Sequence, residues 1–118
     1  LSFWEKAKAK EKSYDTLSEQ LDRLPESFPA LLRAQKAYKK SVKAGLNLGL
    51  GEITAKLTEM LKSGVNGDNA GEFLLYADFL STAAGADGEA ELSKSAAEFI
   101  AEMKRRDQSG ELKKDKNK

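Results

Sequence analysis

From residue 28 to residue 103 the apolar side chains recur three and four positions apart, in blocks separated by glycine-containing breaks. That period is helical and no alternating run competes with it, so the spacing predicts an all-α chain. In the first segment Phe3, Ala7, Tyr14, Leu17, Leu21 and Leu24 fall along one stripe, with Lys and Glu on the other face. The only two prolines, Pro25 and Pro29, make LPESFP a corner. Ser27 is the expected cap of a second helix over residues 28–44, stopped by Gly45. A third helix is expected over residues 52–62, with Ile53, Leu57, Met60 and Leu61 together. The fourth, over residues 70–84, is apolar nearly all round, only Glu72 and Asp78 being charged, so it is expected to be central and the most buried. Asp87 then caps a fifth helix carrying Leu92, Ala96, Phe99, Ile100 and Met103, with Lys104, Arg105 and Arg106 complementing the dipole of its last turn. The expected architecture is a four- to five-helix bundle in one domain over residues 1–107, with an N-terminal helix at 1–24 and a core at 25–107. A disordered charged tail is expected at 108–118.

Composition narrows the chemistry. The 118 residues include no Cys and no His, which removes thiol and imidazole nucleophiles, disulfides, His bases and His/Cys zinc sites. Only carboxylates, Lys, Arg, Tyr and hydroxyls remain. The net charge of +1 is unevenly spread: residues 1–48 hold 10 basic and 6 acidic groups, residues 49–107 hold 6 and 11. With a pI near 8.1, direct nucleic-acid binding is not expected. Apolar runs are short and LSFWEKAKAKEK turns charged early, so neither a signal peptide nor a membrane span is expected, and the cytoplasm is the expected location.

Acids come first among the candidates. Carboxylates at helical spacing on two facing helices can surround Mg²⁺, which takes hard oxygen ligands. Glu52 and Glu59 are seven residues apart and lie on nearly one face of the third helix, where an ordinary solvated face is the plain reading. Glu72 lies in the first turn of the fourth helix. An acid on a buried helix needs solvent, a cation or a hydrogen-bond partner, although complementing the helix dipole is a sufficient structural use.

The run LPESFPALLRAQKAYKKSVKAGLNLG, then GEITAKLTEMLKSG, then GEFLLYADFLSTAAGADGEAELSKSAAEFIAEMKRR, resembles the MazG nucleoside triphosphate pyrophosphohydrolases over residues 24–106. The resemblance implies an all-α domain that assembles as dimers or tetramers and uses Mg²⁺ to split a nucleoside triphosphate into the monophosphate and pyrophosphate. The family's metal motif, EExxE on one helix and ExxD on the next, falls here on Thr58, Glu59 and Lys62, then Asn69 and Glu72. Only Glu59 is kept outright, Glu72 replaces an Asp, and Lys62 brings a cation to a metal site. The closing motif, Asn, Lys and Arg in the family, reads Ala96, Glu98 and Glu102. The resemblance therefore implies a relative degenerate at its metal and nucleotide positions, with Glu59 and Glu72 as residual metal candidates. Lys62 is expected to approach Glu59 or Glu72 in place of the metal.

The second helix offers the other candidate. Residues 27–48 contain five Lys/Arg and no acid, and Arg33, Lys36, Lys40 and Lys43 form a stripe. A solvated face is the plain reading, and an anion-attracting surface for a triphosphate or an acidic partner helix is the functional one. Phe3 and Trp4 read as a packing anchor or an oligomer contact. Three functions stay open. The first is a catalytically impaired nucleotide-binding remnant or assembly module, expected to be a homo-oligomer. The second is an active Mg²⁺-dependent pyrophosphohydrolase using Glu52, Glu59, Glu72 and Asp68. The third is a helical scaffold with no nucleotide role and no cofactor.

Overall fold

In the computed structural model, residues 15–112 are described. Among them are five α-helices and no strand: α1 (Leu17–Asp22), α2 (Ala30–Lys43), α3 (Leu50–Ser63), α4 (Ala70–Ala83) and α5 (Gly88–Gln108). The all-α reading holds. No helix among the described residues is long and apolar enough to cross a membrane. The chain divides at Gly88–Glu89, inside the single domain expected over 1–107, into a unit holding α1–α4 and a unit built on α5. The expected contacts of Phe3 and Trp4 lie outside the described residues.

Helix boundaries follow local caps. The expected helix over 1–24 begins, within the described residues, only at Leu17: Thr16 is extended and its hydroxyl accepts a bond from the Glu19 N–H at 3.1 Å, so the chain turns into the helix there. At the corner, Pro29 and not Ser27 occupies the cap of α2, because residues 25–28 close a turn of their own, Phe28 N–H donating to the Pro25 carbonyl at 3.2 Å. Gly45 stops α2 as expected. Its φ of +114° lets Leu46 N–H reach back to the Ser41 carbonyl at 2.9 Å. Helix α5 runs through Gln108, and Glu111 N–H closes it onto the Arg106 carbonyl at 3.0 Å. Of the expected tail at 108–118, residues 113–118 lie outside the described residues.

In the first unit α4 packs against both α2 and α3, and α1 packs against α2. Tyr38 on α2 stacks on Phe79 of α4 with ring centroids 4.9 Å apart, and Phe79 meets Tyr76 edge-on at 5.4 Å. Ile53 on α3 is fully buried, and Met60 and Tyr38 complete the buried apolar set. Helix α4 is central and has the smallest share of exposed residues of the described helices, as expected, yet it keeps an open apolar side. Its buried residues are Asp78 and Thr82, whereas Leu74 is 61% exposed and Leu75 37%. Two neighbouring helices cover only part of a helix circumference, so one that is apolar all round keeps an open side.

Candidate functional site

The candidate acids do not converge. Glu52 is taken up by the start of α3, where Gly49 N–H donates to its carboxylate at 3.0 Å and satisfies a donor that the helix leaves unpaired. Glu72 meets a cation, but it is Lys56 at 3.6 Å and not Lys62. Lys56 also lies 6.0 Å from the centre of the Tyr76 ring, which ties α3 to α4 a second time. Lys62 makes no ion pair among the described residues and sits exposed in the last turn of α3. The expectation for Lys62 fails for a geometric reason: six residues rotate a helix by about 600°, so Lys56 and Lys62 point about 120° apart and only one can face α4.

The neutral positions of the degenerate motif serve local structure. The Thr58 hydroxyl donates to the Thr54 carbonyl at 2.8 Å. Asn69 knits the turn before α4: its side-chain oxygen accepts from Asn66 N–H at 2.8 Å, and its amide donates to the Gly64 carbonyl at 3.0 Å. Asp68 belongs to the same turn, its N–H donating to the Asn66 side chain at 2.8 Å. Glu59 is exposed on α3. Among the described residues no three His, Cys, Asp or Glu groups lie close enough together to hold a metal ion. The donor set of the described residues does not fit Mg²⁺, which needs several hard oxygens converging on one point.

On α5, Ala96 and Glu98 are exposed, while Glu102 holds two arginines. Arg105 donates to it at 2.7 Å and Arg106 at 3.2 Å. Arg105, and after it Arg106, keep the Glu102 carboxyl below the ordinary carboxylate range, and Glu102 in turn raises Arg105.

The basic stripe is assembled as the sequence suggests. Lys36, Lys40 and Lys43, together with Lys39, wall a groove of about 260 Å³ closed on one side by Gln20 of α1. Arg33 stands apart, in a neighbouring groove with Leu21, Leu24 and Ala34. None of these five cations makes an ion pair among the described residues. Like charges three and four residues apart on a helix repel, so the row carries an unrelieved positive potential that attracts anions.

Sequence reasoning missed the neighbouring apolar groove. It has a volume of about 510 Å³ and lies between α2, the residue 44–49 connection and the end of α4. Val42, Leu46 and Leu50 line it, each more than 40% exposed, and Lys39 borders both grooves. The Tyr38 hydroxyl fixes its wall by donating to the Leu48 carbonyl at 2.6 Å. The only sequence signal was the alternation of Leu46, Leu48 and Leu50 with small residues after Gly45. Also missed was Asp78, which is 3% exposed on α4. Its carboxylate occupies the space that a Cβ on Gly88 would need, so an acid lies at the positive start of α5. No protein-family model, no curated protein and no solved structure matches the chain.

Proposed function

We propose that the chain is a MazG-like helical domain with impaired pyrophosphohydrolase chemistry, which binds the triphosphate of a nucleotide on the lysine row of α2 and associates with further copies of itself. The observation that carries the reading is the row itself: Lys36, Lys39, Lys40 and Lys43 converge on one groove and make no ion pair among the described residues. A triphosphate brings several negative charges within the reach of four flexible ammonium groups, and the neutralisation relieves their mutual repulsion. The ordered motif blocks over residues 24–106 support the nucleotide class. The dispersal of Glu52, Glu59, Glu72 and Asp68 favours impaired over active chemistry, since Glu52 and Glu72 are engaged elsewhere.

Calorimetry with sodium tripolyphosphate and with ATP at low salt tests the reading. Binding is expected, weakening as salt screens it. Lys36→Glu combined with Lys40→Glu should reduce affinity roughly ten-fold, since exposed charge contacts contribute about 0.2–1 kcal/mol each. The absence of heat with either anion at low salt would remove the nucleotide and leave a helical scaffold. Release of pyrophosphate from mixed deoxynucleoside triphosphates with Mg²⁺, abolished by Glu59→Gln, would establish an active enzyme instead.

Self-association is supported by the balance of apolar surface. Three apolar side chains, Tyr38, Ile53 and Met60, are buried among the described residues, against eleven large ones that are exposed. Where such side chains adjoin, as Val42, Leu46 and Leu50 do along one groove, they offer surface that a second copy can cover.

A further inference from the structure

Helix α5 is a single amphipathic helix, and a lone helix cannot bury its own stripe. Leu92, Phe99 and Ile100 are 55%, 63% and 53% exposed. Beside that stripe, residues 88–102 carry four acids, Glu89, Glu91, Glu98 and Glu102, against one cation, Lys94. The first unit shows the inverse pattern, with exposed Val42 of α2, Leu46 of the connection and Leu50 of α3 at an apolar groove and the lysine row of α2 alongside. Each face is defined by its own unit alone.

We infer that the apolar groove and lysine row of one copy form the docking surface for α5 of a second copy, with the two helices parallel. This rests on the self-association proposed above and specifies its surfaces; the lysine row then takes either α5 or a triphosphate, so the two compete. Charge complementarity supports the partner: α2 is the only helix among the described residues with cations and no acid, and residues 88–102 of α5, which carry an exposed apolar stripe, hold four acids against one cation. Spacing agrees, since Lys36 and Lys43 are seven residues apart, as are Glu91 and Glu98, and as are Leu92 and Phe99. Handedness then sets the direction. At about 100° per residue, Lys39, Lys43 and Lys36 follow the direction of Val42 by about 60–120°, whereas Glu91 and Glu98 precede that of Leu92 by about 100–120°. A flank that follows meets one that precedes only when two facing helices run parallel, as in the interhelical charge pairs of parallel coiled coils. Leu92 and Phe99 would then enter the groove beside Val42 and Leu46.

Sedimentation of the full chain, with charge reversal and its rescue, tests the inference. Wild type should dimerise at micromolar concentration. Lys36→Glu with Lys43→Glu should weaken the dimer by on the order of ten-fold or more, because like charges then face each other. Adding Glu91→Lys and Glu98→Lys to the same chain should restore it. Because the chain has no cysteine, Lys43→Cys with Glu98→Cys can report the direction: oxidation should give a covalent dimer, whereas Lys36→Cys with Glu98→Cys should not. A dimer indifferent to the reversals would overturn these surfaces and leave self-association standing. A wild-type monomer would remove both, and a cross-link formed within one chain would overturn these surfaces.

Discussion

In the first unit Ile53, Met60 and Tyr38 are buried, while the cations of α2 go without ion pairs among the described residues. In α5 the distribution is reversed: Leu92, Phe99 and Ile100 are exposed, while Arg105 and Arg106 are held by Glu102 and Glu111. The paired arginines have spent their charge locally and offer little to a ligand. The unpaired lysines repel one another and gain from any anion that approaches. A charged helix is thus informative about binding through what its charges lack, and a count of Lys and Arg cannot supply that.

The contrast can be broken first at the core. Ile53→Ala should cost about 2–5 kcal/mol, the usual effect of opening a cavity at a fully buried aliphatic side chain, read from denaturant unfolding followed by helical signal. Phe99→Ala, measured where the protein is too dilute to associate, should stay within about 0.5 kcal/mol of wild type. Equal losses would mean that α5 has a core of its own. A smaller effect of opposite sign is expected at the row. Lys36→Gln with Lys43→Gln, measured at the same non-associating dilution, should stabilise the chain by about 1 kcal/mol at low ionic strength, since several like-charge pairs each cost about 0.2–0.5 kcal/mol, and the gain should vanish in high salt. A loss of stability would show that those lysines have partners after all.

The smallest effect sharpens the other side. The Glu102 carboxyl, lowered by its hydrogen bonds to Arg105 and then Arg106, should titrate below the ordinary glutamate range when followed by carboxyl-carbon NMR. A depressed carboxylate contributes stability that is complete above its unfolded value and is lost as pH falls through its folded value. The end of α5 should therefore loosen only in that acidic window, and Arg105→Gln should move the titration upward. An unchanged titration in that variant would remove the ion-paired half of the contrast.

Helical spacing made the five blocks legible, because a period of 3–4 residues survives whatever the helices pack against. Gly45 was readable as a stop for the same local reason, and the basic stripe of α2 needed only the wheel of one helix. Reading failed wherever the answer depended on two segments at once. Whether Lys56 or Lys62 reaches Glu72 depends on the register between α3 and α4, which no single helix encodes. Glu52 has the spacing of a metal candidate and also that of a cap three residues into a helix, and the backbone at Gly49 decides between them. The apolar groove lies among three segments, so its residues looked like loop and helix surface in the sequence. Asp78 appeared as a mere interruption of an apolar helix because its neighbour, Gly88, is ten residues away.

The closeness of Gly88 to Asp78 extends to how such a chain can diverge. A side chain at position 88 would collide with the carboxylate at position 78 and press toward Ser81, so position 88 cannot drift before position 78. Among descendants of this sequence, Gly88 should give way to alanine or serine only in lineages where Asp78 has already been exchanged for a smaller residue. The connection between α4 and α5 would then show in an alignment as two positions that change in a fixed order, while the exposed residues between them vary freely.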